Sequence, residues 1–230
     1  MIEKDLDYLK QYHHDVELIS NDCVYLCNIP PLWKHILSQS TTNQKIIKTI
    51  SAWKKYVAEE LRNTISYLQE NLEDICLIRY GENYSLLYAI RASDGQIQYY
   101  EGGNPNNLTF PSRLQMEWNK FPASVTRFFH NLHNGFFYYA SGSMGLLSVS
   151  DVVIFEEEDW GILEELSQPL QIQIQTTFGI FASGMGGYVA IDSSNCENCN
   201  ATLWFTKKQP RYGINFWHFV VEWIVIGMQN

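Results

Sequence analysis

Residues Lys120 to Asp192 carry the pattern that most constrains the fold of this chain. Pro122 precedes an apolar stripe that ends at Asn134-Gly135, which is typical of a short amphipathic helix with a glycine stop. Strand-like runs, an acidic block and the strand-turn-strand sequence FGIFASGMGGYVAID follow. The pattern includes no nucleophile, metal cage or phosphate loop. Because strong fold signals with weak chemical signals favour binding over catalysis, we expect a binding protein and not an enzyme.

The amino-acid composition indicates an ordered interior. Of the 230 residues, 46% are hydrophobic and 14% aromatic, so burial of apolar area can offset the entropy lost on folding. A chain of this size can bury a full core without disulfides or metals. We therefore expect one compact globular unit that needs no cofactor.

Helical and β-strand periodicities alternate in the first half of the chain. Apolar positions spaced from Ile2 to Val16 predict a first helix, and residues 23–27 predict a strand that ends before Pro30-Pro31. From residue 43 to residue 72 the apolar positions step by three or four. This spacing predicts one long helix, or two helices with a small break.

Three strand-like runs then predict an antiparallel meander, because short polar turns join them: Ile75–Tyr80, Ser85–Arg91 and Gln96–Glu101. The stretch Gly102–Pro111 is aperiodic and rich in turn formers, so we place a subdomain boundary near it. We expect residues 1–113 to form a helical and meander part, packed on residues 114–230. The sequence leaves open whether this part completes the same sheet or forms an added layer.

The second half predicts several shorter elements. Pro122 is expected as the first residue of a helix, a short helix is expected from about Asp159 to Leu166, and Asn215 is expected to cap a final helix. The predicted strands are Phe136–Ala140, Val152–Phe155, Gln171–Thr177, Phe178–Ala182, Tyr188–Asp192 and Thr202–Thr206.

The net charge of −9 is concentrated in the last third of the chain. Residues 151–230 hold 10 acidic and 3 basic residues, whereas residues 1–150 hold 15 acidic and 13 basic residues. The densest stretch, residues 151–165, contains seven acids and no Lys or Arg. An acidic surface disfavours nucleic acid as the ligand and favours a basic partner. Solvated acids that complement a helix N-terminus are the alternative interpretation.

Both ends of the chain bear on its localisation. The N-terminal residues have mixed charge and lack the basic and apolar regions of a secretory signal, so we expect a cytoplasmic protein. The apolar run Phe216–Met228 is shorter than the roughly 20 residues needed to span a bilayer, which predicts a buried helix and no membrane partner. Five cysteines in this context indicate reduced thiols.

Three motifs were considered as chemical sites. Cys196 and Cys199 have the spacing of half a zinc knuckle, with Cys23 and Cys27 as a second pair, but a polar hairpin loop is the interpretation we favour. His130 and His133 are three residues apart and share a helix face, but neither has an evident acidic partner for a catalytic triad. The Gly184–Gly187 run lacks the Lys and Ser/Thr of a phosphate loop and predicts a hairpin turn. We therefore predict no metal, cofactor or catalytic residue.

Five segments occur in a recognisable order: FPASVTRFFHNLHNGF (121–136), GSMGLLSVSDVVIF (142–155), EEEDWGILEEL (156–166), FASGMGGYVAID (181–192) and the aromatic C-terminal helix. Together they resemble the SUKH superfamily of toxin-immunity proteins, which also includes fungal regulators of cell-wall synthesis. The resemblance covers residues from about 114 to the C-terminus. It implies an α+β fold with an antiparallel or mixed β-sheet flanked by α-helices.

The resemblance also implies a function: an immunity protein that binds and occludes a toxin domain delivered by a neighbouring cell. An acidic surface suits this role, because it can mimic phosphates and steer a basic toxin surface towards it. On this hypothesis the partner-binding residues are Asp151, Glu156, Glu157, Glu158, Asp159, Trp160, Glu164 and Glu165. Trp160 is the aromatic anchor in this hypothesis, and its alternative role is that of a buried core residue.

Two other functions stay open from the sequence. One is a small hydrolase or transferase with an unrecognised site, and the other is a regulatory scaffold of the same fold. A deep pocket lined by titratable groups would favour an enzyme, whereas a broad acidic face would favour a binding protein. The toxin's chemistry, the half of the chain that forms the interface and the oligomeric state do not follow from the sequence.

Overall fold

The structure, a computed structural model, describes residues 5–230. Its helices are α1 (Leu6–Leu9), α2 (Pro31–Leu37), α3 (Thr42–Val57), α4 (Arg62–Asn71), α5 (Ser112–Glu117), α6 (Ala123–Asn131) and α7 (Phe216–Gln229). Its strands are β1 (Glu17–Ile19), β2 (Leu72–Tyr80), β3 (Asn83–Arg91), β4 (Ile97–Gly103), β5 (Phe136–Tyr138), β6 (Ser143–Leu146), β7 (Val153–Ile154), β8 (Thr177–Ala182), β9 (Gly187–Asp192), β10 (Asn200–Phe205) and β11 (Lys208–Asn215).

The strands form one antiparallel sheet. Their order is β1-β2-β3-β4-β5-β6-β8-β9-β10-β11, and β7 pairs with β8 beside this path. The predicted α+β class is confirmed. The sequence left an antiparallel and a mixed sheet open, and the structure has the antiparallel one. Because β4 pairs with β5, strands from before and after residue 113 belong to the same sheet.

The meander and the helices before it form where the periodicity places them. Strands β2, β3 and β4 pair in succession, and Gly81 and Gly95 turn the chain between them at φ values of +56° and +86°. The long apolar repeat forms two helices, α3 and α4, as one of the two predictions had it. Thr41 caps α3 by accepting a hydrogen bond from the Gln44 amide at 3.3 Å.

Helices cover one face of the sheet. Residues paired across neighbouring strands share a face, so Tyr88, Tyr100 and Tyr138 lie on the same side. On this helix-covered face Tyr88 and Tyr100 belong to a core cluster that also holds Trp53 of α3, Phe128 of α6 and residues of α2, α4 and α7. The cluster runs from β2 to β11, so the main hydrophobic core spans the whole width of the sheet.

The second face of the sheet is covered at two places by segments with little regular structure. Near β2–β4, residues Leu9 and Val16 of the N-terminal segment pack on Ile78, Leu87 and Tyr99. Near β9 and β10, the segment from residue 155 to residue 174 packs on Ala190 and Trp204. Glu101 of β4 and Phe137 of β5 are register partners on this second face.

Two predicted strands are wrong. Residues 21–26 form a 3-10 helix. Val24 and Cys27 are buried, and their spacing of three residues matches one turn of such a helix. Residues 171–173 form no strand, residues 174–176 form a 3-10 turn, and β8 begins only at Thr177. The alternating Ile172 and Ile174 are nevertheless directed inward, because they pack on the second face from outside the sheet.

Three helix predictions need correction. The first helix is limited to Leu6–Leu9, and the part of its pattern that begins at Ile2 lies outside the described residues. The short helix predicted from Asp159 is a 3-10 turn at Gly161–Glu165. Pro122 precedes α6 as its N-cap residue and is not its first helical residue. The Asn215 cap is confirmed, since its side chain accepts a hydrogen bond from the His218 amide at 3.2 Å.

Candidate functional site

The seven acidic side chains of the predicted contact segment are all exposed: Asp151, Glu156, Glu157, Glu158, Asp159, Glu164 and Glu165. Most of them lie in backbone that is neither α-helix nor β-strand, in the 3-10 turns Phe155–Glu157 and Gly161–Glu165. Apolar residues between them anchor the segment to the sheet, because Phe155 and Ile162 are buried in the cluster on the second face. The segment therefore presents its carboxylates to solvent from a fixed backbone.

Trp160 does not share this exposure. It is 6% exposed, its ring lies 4.6 Å from that of Phe155 and 5.5 Å from that of Trp204, and its Nε1 donates a hydrogen bond to the Phe155 carbonyl at 2.9 Å. The prediction of an aromatic anchor at Trp160 is replaced by its alternative, a core residue. Within the same segment the apolar side chain at the surface is Leu163, which is 38% exposed.

Most of the acidic charge in this segment has no cationic neighbour. Glu156 pairs with Arg113 at 3.3 Å, and Arg113 also donates to the Gln175 carbonyl. In the described part of the chain the other acids of the segment form no ion pair. The charge of Glu158 contributes to raising the pKa of Tyr188, after burial, which is the larger cause. The segment is thus a source of negative potential.

Asp151 lies apart from this run, in a loop at a polar cavity of about 710 Å³. The Ser148 hydroxyl donates to Asp151 Oδ2 at 2.6 Å, and the Asp151 amide donates to the Ser148 carbonyl at 3.0 Å. Asn134 holds the start of this loop, because its Oδ1 accepts from the Val149 amide at 2.9 Å. The structure therefore divides the predicted contact residues between the exposed run and the cavity.

The cavity lies on the second sheet face, where Glu101 and Phe137 form part of its wall. Glu101 is only 1% exposed, and its Oε1 accepts a hydrogen bond from the Tyr80 hydroxyl. Burial raises the pKa of the Glu101 carboxyl, and the charge of Asp151 acts in the same direction. The hydroxyls of Tyr80 and Ser85 and the His13 ring oppose this rise to a lesser extent.

Glu101 is a candidate functional residue that the sequence reasoning missed. A buried carboxyl with a raised pKa beside a cavity is a feature of ligand-binding and catalytic sites. One signal in the sequence could have identified it. Ile97, Tyr99 and Glu101 alternate along a predicted strand, which places an acid on an otherwise apolar face.

Cys196 and Cys199 each lie beside a polar group of the protein. Cys196 Sγ donates to the Lys120 carbonyl at 3.1 Å, and Cys199 Sγ lies 3.6 Å from the Ser124 hydroxyl. Burial raises the pKa of the Cys196 thiol. Within residues 5–230 no three His, Cys, Asp or Glu side chains come together in a way that would hold a metal ion.

Two of the histidines considered as catalytic groups are bonded to aromatic side chains. His130 Nε2 accepts from Trp118 Nε1 at 3.0 Å. His133 is fully buried, and its Nε2 lies 2.7 Å from the Tyr88 hydroxyl, which in turn accepts from Trp53 Nε1 at 3.1 Å. Burial lowers the pKa of His133 to about 3, so its ring is neutral and joins α3, β3 and the end of α6.

The glycine-rich run forms the predicted hairpin turn between β8 and β9. Gly184 and Gly186 have φ values of +75° and +72°, and the Ser183 hydroxyl accepts from the Gly187 amide at 3.1 Å. Met185 at the tip is 88% exposed. Beside it lies a cavity of about 490 Å³, which is bordered by Trp223 and by the basic residues Lys207 and Lys208.

Comparisons of the chain with protein-family models, with curated proteins and with solved structures found no significant match. The functional inference therefore comes from the residues of this chain. As for membrane insertion, the helices of residues 5–230 are all too short or too polar to cross a bilayer.

Proposed function

We propose that this protein is a SUKH-type immunity protein that binds a toxin domain with a basic surface and occludes it. The support begins with the order of the elements that carry the family-like motifs. Helix α6 follows Pro122 and ends before Gly135, the acidic run comes after β7, and the β8–β9 hairpin precedes the aromatic helix α7. We expect the protein to act in the cytoplasm, where it would meet an imported toxin.

The observation that carries the proposal is the exposed and largely unpaired acidic run from Glu156 to Glu165. Its carboxylates project from backbone that buried apolar residues anchor to the sheet, so the charges stay together on one part of the surface. Preorganised charge of one sign raises the rate of encounter with a surface of the opposite sign. Leu163 supplies apolar area within the run, which adds a contact that salt does not screen.

The first experiment is affinity capture of the tagged protein from its own cells, followed by mass spectrometry and a salt titration of the complex. The proposal expects one stoichiometric partner with a basic surface. Co-expression of the partner's toxic domain with this protein should restore growth. Recovery of metabolic enzymes alone would contradict the proposal.

A charge-reversal variant tests whether the acidic run makes the contact. We expect Glu156/Glu157/Glu158→Lys to slow association with the captured partner by about 10-fold to 100-fold at low salt, because steering by unpaired charge is lost. A matched control reverses three exposed acids elsewhere, Glu70, Glu82 and Glu222. An association rate equal to that of the wild type at low salt would exclude this run as the contact.

The enzymatic alternative is favoured by one observation, the polar cavity with Glu101 and Tyr80 in its wall. A general acid or base needs a shifted pKa of the kind that burial produces there. Substitution Glu101→Gln separates the two functions, because an enzyme would lose turnover whereas an immunity protein would keep its affinity for the toxin. The regulatory-scaffold alternative differs from immunity only in the partner recovered by capture.

A further inference from the structure

The polar cavity on the second sheet face carries negative charge without a counter-ion in its wall. Glu101 and Asp151 both line it, and no Lys or Arg of residues 5–230 does. Asn104, Asn134 and Ser150 make the rest of the wall polar, although the Asn104 and Asn134 side-chain oxygens already accept from the Asn106 and Val149 amides. Such a wall suits a positively charged hydrogen-bond donor.

Glu101 is bonded on one side only. Its Oε1 accepts from the Tyr80 hydroxyl, whereas its Oε2 is buried and makes no hydrogen bond to any described residue. A buried carboxylate oxygen without a partner costs free energy, so natural structures usually supply one. Because Glu101 lines the cavity, a ligand bound there would supply the missing donor.

Asp151 brings a second carboxylate to the same cavity. Its Oδ2 accepts from the Ser148 hydroxyl at 2.6 Å, which holds the side chain. Asp151 and Glu101 therefore both belong to the wall of one cavity. Two like charges at one site repel each other, and a bound cation would relieve that repulsion.

We propose that this cavity is a binding site for a guanidinium group, which pairs with Glu101 Oε2 and with Asp151. A guanidinium is planar and has several N–H donors in a fixed fork, so it can serve two carboxylates at once. Tyr84 and Phe137 also line the cavity and add aromatic surface to its wall. The site goes beyond the proposed function, because its chemistry fits either a free guanidino compound or an arginine side chain.

The test uses the full-length protein and a matched pair of small probes. Methylguanidinium carries the charge, and methylurea has nearly the same shape without it. Binding is followed by chemical-shift perturbation of the Tyr80, Glu101 and Asp151 amides. We expect saturable shifts with methylguanidinium, and at least about tenfold weaker binding of methylurea, since charge-assisted hydrogen bonds are the stronger class. Equal binding of the two probes, or no saturable shift with methylguanidinium, would overturn the proposal.

Three variants locate the bound group. Glu101→Gln removes the charge and keeps an oxygen that can accept from Tyr80. Asp151→Asn removes the charge of the exposed Asp151 and keeps an oxygen that can accept from Ser148. Each should weaken methylguanidinium binding by about tenfold. Glu222→Gln removes an exposed acid outside the cavity and should leave binding unchanged. If Glu101→Gln fails to fold, Asp151→Asn and the methylurea comparison still decide, and unchanged binding by Asp151→Asn would refute the paired site.

Two further ligands distinguish the sources of the guanidinium. Agmatine represents a free guanidino compound, and an arginine tripeptide blocked at both ends represents a protein side chain. Tripeptide binding at the same amides assigns the site to a protein partner, and binding of agmatine alone assigns it to a small molecule. Failure of toxin capture leaves these probe results unaffected, so the two proposals fail independently.

Discussion

The hydroxyl of Tyr88 provides the sharpest test of how the core is held together. It lies between Trp53 Nε1, at 3.1 Å, and His133 Nε2, at 2.7 Å. All three side chains are at most 1% exposed, and they come from β3, α3 and the residues after α6. Substitution Tyr88→Phe removes the oxygen atom and leaves the ring in place.

The expected loss follows from the two polar atoms that are left without a partner. A buried donor or acceptor that loses its hydrogen bond costs about 1 to 3 kcal/mol, so two such atoms give about 2 to 6 kcal/mol. The gap left by one oxygen is too small to hold a water molecule in the lost position. Because side chains relax in part, we expect the free energy of unfolding to fall by about 3 kcal/mol.

Urea titration at pH 7 measures this loss. Tyr25→Phe is the matched control, because Tyr25 is 67% exposed and its hydroxyl bonds to no described residue. The control should change the free energy of unfolding by less than about 0.5 kcal/mol. A Tyr88→Phe protein within that same margin of the wild type would refute the bridging role of the hydroxyl.

Three further predictions concern stability. Trp160→Ala should lower the free energy of unfolding by about 3 to 5 kcal/mol in urea titration, because a buried indole is removed, whereas Leu163→Ala should change it by less than about 1 kcal/mol; similar losses for both would contradict the burial of Trp160. Gly145→Ala should cost at least about 2 kcal/mol, since the added Cβ would lie 2.0 Å from the Phe136 carbonyl oxygen, while Gly161→Ala, which meets nothing within 4 Å, should be neutral or slightly stabilising. The depressed pKa of His133, about 3 when folded against the ordinary value of 6.5, means that the unfolded chain binds more protons between these pH values. Stability should therefore fall by up to about 1.4 kcal/mol per pH unit as pH drops through that window, and the contribution should be absent in His133→Gln; equal pH slopes for the two proteins would contradict it.

Sequence periodicity predicted the elements whose local and tertiary preferences agree. The meander from β2 to β4 and the helices α3 and α4 have clean apolar repeats, and both were predicted correctly. The β8–β9 hairpin was also predicted, because its positive φ values at Gly184 and Gly186 suit glycine.

The missed elements have physical reasons. Strand β11 is polar and contains Pro210, and both features are tolerated because it lies at the edge of the sheet. Strand β6 contains two small residues and Met144, whose φ of +51° no propensity predicts. The alternation at residues 171–177 satisfies a strand pattern, but its inward isoleucines pack from outside the sheet.

The candidate sites likewise include a part that was predicted from the sequence and a part that depends on the tertiary structure. The acidic run was found by counting charges, because a stretch of acidic residues without Lys or Arg is visible in the sequence without knowledge of the fold. The count did not separate Asp151 from that run or assign Trp160 to the core, since both depend on which loops and strands meet. Glu101 leaves in the sequence only the signal of an acid on an apolar strand face, and its place beside a cavity depends on the pairing of β4 with β5.

The most direct test of the proposed immunity function is a growth assay in cells that co-express this protein with the toxic domain of its captured partner. We expect the toxic domain alone to arrest growth, wild-type protein to restore growth through a stoichiometric complex, and Glu156/Glu157/Glu158→Lys to protect less well. Continued arrest in the presence of folded wild-type protein would contradict the account.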